Sequence, residues 1–208
     1  MIKKSILTFT KELNRPVFTT REAAMLSGSS LSNASKMLRT LEGKGLVLKV
    51  ARGIWAEAGN EKISPYSVIP LLLPKNRAYV SFISALHLHG IIEQIPQEIT
   101  LASIVHKKKI NTKLGIFSIH RISPSLFDGF DWYKGERSFL IAEPEKALFD
   151  SIYLSTRKKK QFGYFPELYF PRSFSFKKAA GWIDKIPEKR IRSSVGKKLK
   201  EIKNLQIR

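Results

Sequence analysis

Residues 19–56 read TTREAAMLSGSSLSNASKMLRTLEGKGLVLKVARGIWA, and the order of patterns inside that stretch decides how the rest of the chain is read. Thr19 or Thr20 offers a side-chain oxygen to the free N–H groups of a short helix carrying Ala23, Ala24 and Leu26. Ser27-Gly28 then gives a sharp turn, because glycine accepts backbone angles that a Cβ forbids, and Ser29 or Ser30 caps a longer helix reaching about Leu41. Spacing gives this helix two unlike faces. Leu31, Ala34, Leu38 and Leu41 are expected to point inward, while Ser32, Asn33, Ser35, Lys36 and Arg39 stay outside, short polar groups first and long cations after. Gly43-Lys44-Gly45 ends it. Leu46 to Val50 and Ile54 to Ala56 follow as two strands around Ala51-Arg52-Gly53, a tight connection with Arg52 at its tip. Upstream, Ile2, Ile6, Phe9 and Leu13 mark one face of a further helix stopped by Pro16. Helix, turn, polar-then-basic helix and basic-tipped hairpin, in that order, form the pattern of a winged helix-turn-helix.

That pattern implies double-stranded DNA as the partner, with short polar groups near base edges and cations on phosphate. The candidate DNA contacts are Thr20, Ser29, Ser30, Ser32, Asn33, Ser35, Lys36, Arg39, Lys44 and Arg52. Asn33 has the donor and acceptor pair that suits adenine; Arg39 suits guanine or a phosphate equally. Lys44 and Arg52 are placed for phosphates.

A chain of 208 residues with 43% hydrophobic content is long enough for two small domains. Its charge of +20 is spread unevenly. Residues 1–59 carry ten Lys/Arg against four Asp/Glu, residues 60–156 eleven against nine, and residues 157–208 sixteen against four. Both ends are therefore candidate polyanion footprints, and binding is expected to depend strongly on salt. No run approaches the roughly 18 apolar residues of a membrane span, and the start has no apolar core followed by a small-residue cleavage site, so a cytoplasmic protein is expected. The absence of cysteine excludes disulfides, thiolate metal sites and a cysteine nucleophile.

Gly59-Asn60-Glu61-Lys62 and Ser64-Pro65 suggest a boundary. Beyond it, Val68 to Leu73 is a short apolar run, and Tyr79 to His89 reads as a helix stopped by Gly90. Ile99 to Val105, Ile116 to Ile122 and Arg137 to Ile141 read as strands, with polar breaks at Lys107 to Gly115 and Asp128 to Gly135. A helix returns at Pro144, with Glu143 and Glu145 at its positive end and Ala147, Leu148, Ser151 and Ile152 on its buried face. The expected fold class is α+β: an N-terminal winged helix-turn-helix over residues 1–59, a mixed α+β domain with a small sheet over 60–156, and a basic helical tail over 157–208 packed on the second domain.

Three segments carry a family resemblance. Arg52-Gly53-Ile54-Trp55, the run Tyr79-Val80-Ser81-Phe82-Ile83-Ser84-Ala85-Leu86-His87-Leu88-His89-Gly90 with Gln94-Ile95-Pro96 after it, and Ile141-Ala142-Glu143-Pro144-Glu145-Lys146-Ala147-Leu148-Phe149-Asp150 resemble, in order, segments of the AbiEi antitoxins of bacterial abortive-infection systems. The resemblance covers about residues 17–155; the basic segment after Arg157 departs from it. It implies a winged-helix repressor of its own operon, binding repeated operator sites with self-association on DNA. It also implies an antitoxin that counteracts a nucleotidyltransferase-like toxin, directly or indirectly.

Read without the family, the second domain offers little catalytic chemistry. Ser84 and His87 stand i, i+3 but lack an orienting acid. His87 and His89 diverge by about 200° on a helix and cannot share a metal as an i, i+4 pair can. Glu143, Glu145, Lys146 and Asp150 invite a Mg-dependent nuclease reading, but a helix start accounts for both glutamates, and an i, i+4 Lys146–Asp150 pair accounts for the rest. The expectation is no catalytic residue, no metal and no cofactor; a Mg-dependent nucleic-acid enzyme and an RNA-binding protein are the alternatives.

In the tail, Arg157, Lys158, Lys159 and Lys160 precede Phe162-Gly163-Tyr164-Phe165-Pro166 and Tyr169-Phe170-Pro171, aromatics expected to pack as a loop on the second domain. Pro187 opens a helix whose Ile191, Val195, Leu199 and Ile202 share a face. Arg157, Lys158, Lys159, Lys160, Lys197 and Lys198 are the candidate phosphate or partner contacts there.

Overall fold

The computed structural model describes residues 15–75, 77–135, 139–157, 162 and 164–205. The helix read over Ile2 to Leu13 and the candidate contacts Lys158, Lys159 and Lys160 lie outside the described residues. The fold is α+β with two sheets. The chain divides into two compact units: residues up to Pro74 together with Asn111–Gly115, and Lys75–Ile110 together with Ile116 onward.

The first unit begins with β1 (Val17–Thr19), then α1 (Thr20–Ser27), α2 (Leu31–Gly43), β2 (Val47–Ala51) and β3 (Ile54–Glu57). The strands form an antiparallel sheet in the order β1-β3-β2, with Phe18 opposite Trp55 and a register shift between Lys49 and Ala51. Thr19 caps α1: its hydroxyl accepts the Glu22 N–H while the Glu22 carboxylate takes the Thr19 N–H at 2.8 Å. This reciprocal pairing satisfies two otherwise free donors. Gly28 ends α1 in the left-handed region at φ 59°, and Ser30 caps α2 by accepting the Asn33 N–H. Phe18, Ala23, Leu38, Val47 and Trp55 form the core, with Leu26, Met37 and Leu41 packed against it. Burying a side chain such as Leu38 stabilises by about 1.5–3 kcal/mol. One inward assignment is corrected: Leu31 is 53% exposed, because at the first position of α2 it lies beyond the core, and Met37 takes the space instead.

The second unit is built on a six-stranded mixed sheet. Its strands are β4 (Ala78–Val80), β5 (Ile99–Ser103), β6 (Lys108–Thr112), β7 (Gly115–Arg121), β8 (Phe130–Trp132) and β9 (Leu140–Ala142), in the order β6-β7-β5-β4-β9-β8. β4 runs antiparallel to β5 and parallel to β9; β5 runs parallel to β7. Several sequence expectations change here. Tyr79 to His89 is not one helix: Ala78–Val80 is a strand, and α4 covers only Phe82–Leu88, the short α3 (Ile69–Leu72) having preceded it in the first unit. Strand pairing on both sides of β4 wins over helical periodicity. The breaks at 107–115 and 128–135 each hold a strand, β6 and β8, which are the two edges of the sheet; β6 is polar, and β8 is only three residues long beside Asp128-Gly129.

The helix α5 (Pro144–Ser155) is buried along its length from Glu145 to Ser155, not on one face. It is packed by α4 and by two helices of the tail, α6 (Phe176–Ala180) and α7 (Lys189–Leu205). Val195, Leu199 and Ile202 of α7 are buried as their spacing implies. The aromatic loop is only partly packed: Phe170, Phe174 and Phe176 cluster at 4.4–5.1 Å between ring centres, while Tyr164 and Tyr169 face solvent.

Candidate functional site

In the first unit, α2 and the β2–β3 hairpin hold most of the candidate contacts. Ser32, Asn33, Lys36 and Arg39 are exposed on α2, Lys44 is exposed just after it, and Arg52 is exposed in the hairpin turn. Three of the ten have structural partners. The Ser30 side chain is the α2 cap, Ser29 Oγ lies 2.7 Å from Ser27 Oγ, and Thr20 Oγ1 accepts the Trp55 indole N–H at 2.9 Å. Because Thr20 accepts at its oxygen, its own proton remains to be donated elsewhere. Gly53 makes the hairpin turn at φ 74°, and its carbonyl accepts the Thr20 N–H at 3.0 Å, so α1 and the hairpin are tied at two points.

Between α2 and the hairpin lies a groove of about 960 Å³, lined by Thr20, Leu31, Ser35 and Arg39 on one side and by residues 49–53 and Trp55 on the other. Asn111, Thr112 and Lys113 complete it. Among the described residues its charged lining is entirely cationic: Arg39, Lys49, Arg52 and Lys113. The Lys49 ammonium sits 5.9 Å from the Trp55 ring centre, a cation–π arrangement that fixes the charge beside the groove.

In the second unit, the acidic and basic residues around α5 are engaged inside the fold. Lys146 and Asp150 are fully buried and pair directly. Lys146 Nζ also donates to Tyr79 Oη at 2.9 Å, and the Tyr79 and Ser81 hydroxyls donate to Asp150 Oδ2 at 2.9 and 2.8 Å. Burial pushes the Asp150 carboxyl above its ordinary value, against the lowering pull of Lys146, Ser81 and Tyr79. Burial, then the Asp150 charge, pushes the Tyr79 phenol well above its own. The i, i+4 pair expected from the spacing is present, and it is fully buried, with Tyr79 and Ser81 as its further partners. Glu145 accepts the Ser175 N–H at 3.0 Å, and Lys178 pairs with Glu143 at 3.0 Å, so both glutamates also hold the start of α6. Ser84 is spent on Thr100 and Glu98 backbone groups, and His89 Nε2 donates to the Ala142 carbonyl at 2.7 Å. Among the described residues no three His, Asp or Glu side chains are grouped to hold a metal ion, and no helix is long and apolar enough to cross a membrane.

A second concavity of about 530 Å³ in this unit is lined by Gln94–Glu98, Thr100, Lys107, Ser118, His120 and Phe162, among others. Glu98 is held there by Lys109 and Ser118, which keep its carboxyl below its ordinary value. In the tail, Arg157 is exposed over the Tyr153 ring at 5.4 Å and Lys197 is exposed, whereas Lys198 donates to Ser155 Oγ at 2.9 Å.

No family model and no curated protein matches the chain. The residues themselves therefore carry the functional argument. Two sets were not legible as a site in the sequence: Asn111–Lys113, which reads as a polar break, and Tyr79 with Ser81, whose partners Lys146 and Asp150 lie far along the chain. The only signals were Asn111-Thr112-Lys113 ahead of Gly115, a turn composition, and the Lys146–Asp150 spacing.

Proposed function

We propose that this chain is a DNA-binding transcriptional autorepressor and antitoxin of an AbiEi-type abortive-infection toxin–antitoxin system, with no catalytic activity of its own. Its first unit acts as a winged helix-turn-helix: α2 enters the major groove, and the β2–β3 hairpin is the wing. The observation that supports the reading is a groove whose described charged lining is cationic, with Arg39 of α2 on one side and Lys49 and Arg52 of the hairpin on the other, while Ser32, Asn33 and Lys36 are also exposed on α2. Side chains of that kind read base edges at the helix start and grip phosphate further along. The tightly capped α1, the left-handed Gly28 and the anchored hairpin supply the rigidity that positioning needs. The antitoxin half of the proposal rests on the family words over residues 52–55, 79–96 and 141–150.

The test is fluorescence anisotropy with a labelled duplex covering the promoter of the chain's own gene, against random duplex of equal length. Preference for the promoter is expected, with Arg39→Ala and Arg52→Ala each weakening it; wild-type affinity in both variants sinks the assignment. For the antitoxin half, co-expression with a neighbouring nucleotidyltransferase-like protein should restore growth that the latter arrests when expressed alone.

A further inference from the structure

The groove beside α2 has a third wall, and that wall comes from a turn about sixty residues further along the chain. The Lys113 N–H donates to the Val50 carbonyl at 3.1 Å, exactly where the β2–β3 register is irregular, between Lys49 and Ala51. An edge carbonyl that the strand ladder leaves open is thus taken by the turn. The turn is braced internally, since Thr112 Oγ1 donates to the Gly115 carbonyl at 2.8 Å and accepts the Leu114 N–H at 3.1 Å. Asn111 and Lys113 remain exposed, and the Lys113 ammonium reaches only as far as a long contact with Glu42 at 3.4 Å.

We propose that Asn111–Lys113 is a second wing, which holds the phosphodiester backbone of duplex DNA alongside Arg52. This inference rests on the DNA-binding reading above. Three features favour a phosphate strand as the occupant. Every described charged side chain lining the groove is cationic, the walls present amide and hydroxyl groups that hydrogen-bond phosphate oxygens, and the turn is fixed by backbone bonds that position its cation. A partly exposed pair at 3.4 Å holds Lys113 weakly, about 0–1 kcal/mol, so a phosphate can displace Glu42.

The experiment uses the full chain with Lys113→Gln, Glu42→Gln and Arg52→Ala, titrated by anisotropy at several salt concentrations on the promoter duplex and on random duplex. Glutamine at position 42 keeps an acceptor for the Lys49 N–H but removes the charge that competes for Lys113. Lys113→Gln is expected to weaken both duplexes by the same factor and to lower the salt slope by about 0.9, the value for one phosphate contact. Glu42→Gln is expected to bind both more tightly. A role for Lys113 limited to bracing Glu42 makes the two variants alike in stability and neutral toward DNA, and that result overturns the inference. If Arg52→Ala loses affinity and Lys113→Gln keeps wild-type affinity and slope, the second wing falls while the first stands. A wild-type chain with no preference for the promoter duplex fells both.

Discussion

Lys146 and Asp150 have no exposed surface, so the i, i+4 pair that the spacing implies is a buried pair and not an exposed one. The difference in scale is large. An exposed i, i+4 pair is worth a few tenths of a kcal/mol, about 0.3–0.5, whereas stranding one member of a buried pair costs about 3–5 kcal/mol. Lys146→Met and Asp150→Leu should therefore each destabilise strongly, while the double variant loses less than the sum, as read from urea unfolding; strict additivity would show that the two act independently. Tyr79 adds a pH signature. Its folded phenol titrates well above the ordinary value, so the folded chain keeps a proton that the unfolded chain releases. Stability contributed by such a group is present below the unfolded pKa of about 10 and is lost as pH rises past it. Melting temperature should fall above that pH, and Tyr79→Phe, less stable at neutral pH, should show a shallower fall. A parallel fall in both proteins removes Tyr79 from the account.

At the scale of elements, legibility followed local chemistry. Caps and stops were readable to within a residue because they depend on neighbours in sequence: of Thr19 or Thr20 the cap is Thr19, of Ser29 or Ser30 it is Ser30, and the stops Gly28 and Gly90 are in the left-handed region. Elements fixed by distant pairing were not. β4 is three residues long and exists because β5 and β9 flank it, so Tyr79 and Ser81 were drawn into the following helix. Phe82, at φ 57°, marks the break between them, a backbone strain of about 1–3 kcal/mol. Its buried ring, stacked at 4.8 Å on Phe162, helps hold it there. Of the edge strands, β8 alternates as Phe130-Asp131-Trp132 but is too short to read, and β6 failed for a different reason. Polar side chains that discourage edge pairing also erase the alternation by which a strand is recognised. The same holds for the candidate site: the candidate contacts on α2 and the hairpin follow from one continuous stretch, while Asn111–Lys113 joins the groove through distant pairings, a backbone bond to Val50 and the Lys113–Glu42 contact.

At the scale of the molecule, charge and packing separate the tail's roles. Trp182, Ile186, Val195 and Leu199 are buried, and Trp182 leaves no room for a side chain at Gly129, where a Cβ would stand 2.5 Å from its ring. Removing the chain after Thr156 would uncover α5, so truncation reports on folding before it reports on DNA. Charge substitution on the open face of α7 avoids that, because Lys197, Lys200 and Lys203 are exposed. The proposed division of labour is that α2 selects a site while the tail adds sequence-independent attraction. Replacing all three lysines with Gln should then weaken promoter and random duplex by one common factor, lower the salt slope, and leave their affinity ratio unchanged. On the same proposal Arg39→Ala, on α2, should instead shrink that ratio. Anisotropy titrations at several salt concentrations distinguish the two, and an unaltered slope in the lysine variant would confine phosphate binding to the first unit.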